Sequence, residues 1–384
     1  MSKVKVSHLL VFMSYLSLLM LGLVDNIRAP FYPDILESLH LSATKGSLFF
    51  ATASFAALGG NFLGSFLLSR VTAHGLMNFS VFGVGVGFLL IGQATDFSWV
   101  IYACIFFGIH FGLLNVSQNV VVQKNASLKY RRRIFNGLHT MYGLAALLAP
   151  LLASGFLDLG WNWNRSFSLI GVVCAFCGLA FLITAWKWKE AETITVTHQE
   201  DFSFDSLRAF FIAVSLGFYI MTELSLSTRL PVWVTQTLGA SGQEANSYLA
   251  VFFLGMFLSR LLFTFVSFEK FSNRKILWVC ALSGLLFYSL GLLVHPFYAS
   301  LTGLFIGPFF PVILDEMSSS FHDQAAKVIG WSITLGSVLV VLMHFSVGVL
   351  TDRVGIQNAL WVGPVGFILS LAALFLSSKK SFVR

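Results

Sequence analysis

The sequence predicts an all-α integral membrane protein whose 12 transmembrane helices form two pseudo-symmetric six-helix bundles. Three observations predict it. The chain is 57% hydrophobic and 11% charged, with 41 phenylalanines, well outside the composition of a soluble domain. Apolar runs of about 20 residues, each able to cross ~30 Å of hydrocarbon as a helix, recur almost without pause. They are too long and continuous for barrel strands, and lipid cannot satisfy an open backbone, so they are helices. Finally, landmarks of the first half return in the second.

In order, the first six spans are 8–32, 46–69, 76–93, 98–123, 135–158 and 167–187. Residues 189–206, KEAETITVTHQEDFSFDS, are polar and acid-rich, and form the one connection long enough to link two domains. Six more spans follow at 207–236, 245–266, 275–294, 297–321, 327–351 and 358–378. The division is therefore a bundle at 1–188, a cytoplasmic linker at 189–206 and a bundle at 207–384.

Basic residues set the orientation, because short loops rich in lysine and arginine stay cytoplasmic. Lys3, Lys5, Arg70, Lys124, Lys129, Arg131 to Arg133, Lys187, Lys189, Lys270, Arg274, Lys275, Lys327, Lys379, Lys380 and Arg384 fall on one side. Lys45, Arg165 and Arg353 fall on the other. Both termini are expected in the cytoplasm, in a cell inner membrane. The net charge of +7 is a matter of topology, including the KYRRR cluster after span four, and calls for no nucleic acid. Lys3 and Lys5 before an apolar run resemble a secretory leader. No small-residue cleavage site follows, so the first span is expected to be retained. Cys104, Cys174, Cys177 and Cys280 all lie within spans. The Cys174–Cys177 CxxC has no second pair or histidine near it in sequence, which leaves packing as its role.

The repeat can be followed residue by residue. Asp25 and Pro33 return as Glu223 and Pro231 at an offset of 198. Gly108 and Gly112 return as Gly303 and Gly307 at 195, and Gly137, Gly143 and Gly155 as Gly330, Gly336 and Gly348 at 193. The offset drifts in one direction, as loop deletions between related halves produce. Parallel repeats of this kind place a ligand site near the membrane midplane.

These features carry a family resemblance over essentially the whole chain. The six-plus-six repeat, the polar central loop and GSFLLSR (Gly64 to Arg70) resemble the major facilitator superfamily. Its members usually carry an aspartate where this chain has Ser69, and TAHG (Thr72 to Gly75) matches the usual basic continuation loosely. GVLTDRVG (Gly348 to Gly355) is a cleaner copy after span eleven, read as a relic of the repeat. FYIMTELSLSTRLPVWV (Phe218 to Val234), GMFLSR (Gly255 to Arg260), GPFFP (Gly307 to Pro311) and the span-one acid are similar to the fucose:proton symporter branch. The span-four acid of that branch is absent, and His110, Asn115 and Asn119 stand there instead. The resemblance implies alternating access driven by protons.

Ionisable groups inside a span are costly and mark function by default. Asp25 and Glu223 are the proton-coupling candidates. The alternatives are a permanent pair of Asp25 with Arg28 one turn on, and a lock of Glu223 to Arg229 or to span eleven. In span four, Gly108, Gly112, Asn115 and Asn119 share a helical face. Its amides either bind a hydroxylated ligand or bridge helices. His110 is a proton relay or a core histidine. Arg28, Arg229, Tyr142 and Tyr219 complete the expected substrate contacts, and Phe31, Tyr32 and Trp233 are further rings for a sugar face. For gating, Arg70 ends the GSFLLSR loop, and Arg260 is expected to pair with Asp315 and Glu316 near the inner end of span ten.

The sequence contains no HExxH, GxSxG or nucleotide loop, and Gly83, Gly85 and Gly87 sit in an apolar helix with no strand before them. An enzyme is not expected, and no cofactor or metal is implied. The reading is a monomeric secondary transporter in the lipid bilayer that moves a small polar solute, a sugar favoured, with protons. The alternatives are a proton-driven exporter of drugs, metabolites or lipids and, more remotely, a membrane receptor or intramembrane enzyme.

Overall fold

The computed structural model describes residues 8–125, 131–185, 206–265, 271–321 and 324–378. Linker residues 189–205, Lys129 and Tyr130 of the basic cluster, Lys3, Lys5, Lys187, Lys270, Lys379, Lys380 and Arg384 lie outside the described residues, as do the side chains of Arg131 to Arg133 and Lys327. All regular structure among the described residues is helical, and 12 stretches are long and apolar enough to cross a membrane.

The chain divides into two compact units, Met1–Leu39 with Thr52–His198 and His40–Ala51 with Gln199–Arg384. The first contains α1 (His8–Asn26), α2 (Tyr32–Ser38), the greater part of α3 (Ala43–Leu67), α4 (Ala73–Gly92), α5 (Phe97–Asn125), α6 (Arg131–Asp158) and α7 (Trp163–Ala185). The second contains α8 (Ser206–Ser227), α9 (Leu230–Leu238), α10 (Gly242–Phe265), α11 (Asn273–Leu293), α12 (Pro296–Ile306), α13 (Phe309–Phe321), α14 (Ala325–Val354), α15 (Ile356–Ala359) and α16 (Val362–Leu376). It also takes the N-terminal turns of α3, a segment that the sequence groups with the first bundle.

Four spans expected as single helices are each broken in two, and proline explains every break. A proline ring removes one N–H and clashes with the carbonyl four residues earlier. Pro30 sits four residues after Asn26, where α1 ends, and Pro231 four after Ser227, where α8 ends. Pro311 stands in the same relation to Gly307 at the α12–α13 break, and Pro364 to Leu360 at the α15–α16 break. The repeated pair Pro33 and Pro231 each takes the first turn of the helix that follows, where a missing N–H is harmless.

The repeat extends to contacts. A Cβ on Gly60 of α3 would strike the Ile109 carbonyl of α5, and one on Gly255 of α10 would lie 2.8 Å from the Leu304 backbone of α12. Both partners of the first contact return in the second at an offset of 195. Likewise Gly22 of α1 backs on Tyr142 and Ala145 of α6, and Gly217 of α8 on Gly336 and Leu339 of α14. Small residues at these crossings let backbones close up where no hydrophobic force drives helices together in lipid. TAHG also has a local role, since Thr72 accepts from the Gly75 N–H at 3.2 Å and caps α4, as Ser272 caps α11.

Candidate functional site

In the first unit the site forms where α1 stops. Pro30 ends the helix at Asn26, so Asp25 lies at a C-terminus whose open carbonyls attract a cation. Arg28 in the following turn supplies it. Its Nε donates to the Asp25 main-chain oxygen at 3.1 Å, and its terminal nitrogen forms an ion pair with Asp25 Oδ1. The other carboxylate oxygen, Oδ2, accepts from the Tyr142 hydroxyl of α6 at 2.5 Å. Arg28 also stacks over Phe107 of α5, 5.3 Å from the ring centroid. Asp25 keeps 20% of its side-chain surface accessible, against 8% for Arg28. The structure therefore unites three expected residues, Asp25, Arg28 and Tyr142.

The span-four residues divide. Asn119 donates back to the Asn115 carbonyl at 2.7 Å, and the half-buried Asn115 amide makes no side-chain hydrogen bond among the described residues. His110, expected as a proton relay or a core histidine, is packed between helices. Its ring is seated on Gly83, bonds the Phe106 carbonyl through Nδ1 at 2.9 Å and packs on Phe106 and Phe79, both exposed on the flank of the bundle. It is a packing histidine of the α4–α5 crossing. Sequence reading passed over Gln118, which is fully buried and accepts from Ser17 of α1 at 3.1 Å. The signal available was a third amide beside Asn115 and Asn119, one residue off their stripe.

In the second unit the α12–α13 break organises the site. Tyr219 is fully buried, stacks on Phe309 at 4.3 Å and donates to the Ile306 carbonyl at 3.2 Å. Arg260 donates to the next carbonyl, Gly307, at 2.9 Å. These two residues occupy the oxygens that the proline break opens. Glu223 lies one turn along α8 from Tyr219. Arg229 is 2% exposed and lies over the Phe50 ring at 4.8 Å, and the same ring carries His344 of α14, stacked at 5.2 Å.

Several expectations need correction. Glu316 pairs with Arg208 at 3.4 Å and Arg274 at 3.2 Å, and Asp315 accepts from Asn273 at 3.0 Å, so the ion pair of Arg260 with this acidic pair is not formed. Arg260 is drawn to the Gly307 carbonyl instead, because the break leaves that acceptor open. Arg70 is exposed in the turn after α3 and rests on Phe66 near the end of that helix, 4.1 Å from the ring centroid, with no ion pair among the described residues. The fully buried Tyr219 ring has no face open to a sugar, and Phe31, Tyr32 and Trp233 are at most 1% exposed and equally closed. Asp352 of the second GVLTDRVG copy is more than a relic. Both of its oxygens accept from the α3 N-terminus, at 2.8 Å from the Ala43 and Thr44 nitrogens. Asp34 plays the same part for α7, accepting from the Trp163 N–H at 3.0 Å. Burial pushes its carboxyl above the ordinary value, against the pull of that hydrogen bond.

The Major Facilitator Superfamily sequence model matches residues 14–342. "Bypass of stop codon protein 6" of Saccharomyces cerevisiae is 25% identical over 88% of this chain and 76% of its own. The glucose/mannose transporter GlcP of Bacillus subtilis is 21% identical over 85% of this chain and 88% of its own. Among solved structures, a bacterial homologue of the human lysosomal transporter Spinster superposes with a TM-score of 0.77 at 12% identity, covering 97% of this chain and 96% of that one.

Proposed function

Because the chain belongs to the major facilitator superfamily, as the match over residues 14–342 establishes, we propose that it is a proton-coupled carrier of a small hydroxylated solute, with a sugar the favoured class. The observation that carries this reading is Asp25, an accessible carboxylate in a membrane helix whose oxygens are shared between Arg28 and Tyr142. A proton on Asp25 removes the charge that holds Arg28 and offers a donor in its place. A solute hydroxyl replaces Tyr142 at the carboxylate, and the freed Arg28 and Asn115 complete its hydrogen bonds. Glu223, one turn from Tyr219, is the matching acid of the second half.

The relative GlcP, named for glucose and mannose, supports a sugar. In this reading the protein is a monomer of the cell inner membrane with both termini in the cytoplasm. Residues 1–188 and 207–384 are its moving bodies, and 189–206 their linker. The test is reconstitution in liposomes with a pH-sensitive dye inside and D-glucose, D-mannose, D-xylose or L-fucose added outside. Proton movement with at least one sugar is expected. Proton movement with a hydrophobic cation or a lysolipid and with no sugar would replace this reading by that of an exporter.

A further inference from the structure

Gly22 stands three residues before Asp25, on the same face of α1. A Cβ there would lie 2.8 Å from the Ala145 methyl, 3.1 Å from Cδ2 of the Tyr142 ring and 3.3 Å from the Tyr142 Cα. Tyr142 therefore rests its backbone and the near edge of its ring on the bare glycine and reaches one turn along α1. There its hydroxyl meets Asp25 Oδ2 at 2.5 Å. All four residues belong to the first unit.

We infer that Gly22 is a positioning residue for Asp25, because the side chain it lacks is what lets Tyr142 reach the carboxylate. Ala145 is fully buried and its methyl is fixed to the backbone, so no rotamer change there could make room for a Cβ at position 22. Carbon atoms settle about 3.5–4.0 Å apart, which would part α1 and α6 by roughly 1 Å at this level. The Tyr142–Asp25 hydrogen bond spans the same gap. Lengthened that far from 2.5 Å, it leaves the O–H···O range, which ends near 3.0 Å.

The second half makes the opposite choice. Glu223 is preceded at the same spacing by Ile220, and the small residue sits on the facing helix, where a Cβ on Gly336 of α14 would lie 3.0 Å from Ile220 Cδ1. The place of Tyr142, 193 residues on, is held by Leu335, which has no hydroxyl to offer. Glycine and tyrosine thus occur together in the half whose acid is tied across to a neighbouring helix. The assignment rests on Asp25 as the coupling acid, and its first test involves no solute.

The experiment is NMR of the full chain in nanodiscs with tyrosine labelled with 13C at Cζ, whose shift follows the hydrogen bond of its own hydroxyl. The Tyr142 signal is identified by its loss in Tyr142→Phe, and Asp25→Asn gives its position without the charged acceptor. Gly22→Ala is expected to move the signal most of the way to that position. Gly22→Ala/Ala145→Gly removes the 2.8 Å collision and keeps the 3.1 and 3.3 Å contacts with Tyr142, so a smaller shift of the same sign is expected. That variant decides should Gly22→Ala fold poorly. Gly137→Ala is the control on the same helix pair. Its Cβ would lie 2.5 Å from the Tyr15 hydroxyl, the tip of a side chain that can swing aside, so the Tyr142 signal should stay in place. An unmoved signal in the Gly22 variants, or an equal shift in Gly137→Ala, overturns the assignment. Uptake gives a second readout, with D-glucose, D-mannose, D-xylose or L-fucose as the probe. Gly22→Ala should raise apparent affinity severalfold and add nothing in the Tyr142→Phe background, whereas additive effects would overturn the assignment. If the signal moves and no sugar moves protons, the transport reading fails and this one stands.

Discussion

Tyr142 donates its hydroxyl to Asp25 at 2.5 Å, so the carboxylate that Arg28 binds from its own chain turn is also held from α6. The proline-terminated end of α1 thus has one partner it carries with it and one on another helix, the second being the one that the proposed solute would replace.

Asp25→Asn is expected to abolish proton-coupled uptake while sparing counterflow, because the site stays formed but no longer binds a proton. Tyr142→Phe keeps the acid and loses one charge-assisted hydrogen bond of about 1.5–3 kcal/mol that the solute must otherwise displace, which should raise solute affinity by roughly tenfold or more. Dye-monitored proton flux and counterflow in the same liposomes separate the two. Unchanged coupling in Asp25→Asn would remove Asp25 from the mechanism.

Neighbouring glycines on α3 should respond in opposite directions. A Cβ on Gly60 runs into the Ile109 carbonyl, whereas one on Gly59 meets nothing within 4 Å. Gly60→Ala is expected to destabilise by about 1–3 kcal/mol through overpacking. Gly59→Ala should stabilise by about 0.5–1 kcal/mol through helix propensity. Thermal midpoints in one detergent check both, and equal shifts would contradict the α3–α5 packing.

Glu316→Gln leaves Arg208 and Arg274 sharing a neutral acceptor. Both guanidinium side chains are about one-third exposed, at 33% and 32%, so solvent screening keeps the loss to about 1 kcal/mol. The expected signature is a lowered thermal midpoint whose deficit shrinks as salt is added. A deficit that does not change with salt would mean that the pair contributes nothing electrostatically.

Asp34 sets an acid-side dependence. Its carboxyl titrates above the ordinary 3.8 when folded, so the folded state binds that proton more tightly than the unfolded state. The resulting stability is fully present below pH 3.8 and is lost as pH rises through the folded value. The thermal midpoint of the wild type relative to Asp34→Asn should therefore fall as pH is raised across that window. A difference that rises with pH would reverse the assignment.

Much of this was legible in the sequence, because span length and the drifting offset of the glycines depend on chain order alone. The breaks were also encoded. Pro30, Pro231, Pro311 and Pro364 each stand four residues past the end of a helix or the turn that follows it, but hydropathy averages across them. Partner choice was not legible. Glu316 could have met any cation at its depth, and the carbonyl opened at Gly307 drew Arg260 away from it. His344 went unremarked because a lone polar residue in an apolar helix has no periodicity to betray it, and Gln118 because it falls one residue off the stripe of Asn115 and Asn119. The expected sugar-stacking rings failed for a related reason, since aromatic content does not say which face packs inward.

The cap that Asp352 places on Ala43 and Thr44 joins residues 309 and 308 positions apart, and this sets an order of events during synthesis. The glycine contacts of α3 with α5 can form as soon as the first four spans have left the ribosome. The beginning of the same helix has its partner near the end of the message, roughly 10 to 45 s later at ordinary elongation rates. Until then, the first turns of the second span are without the cap that Asp352 supplies.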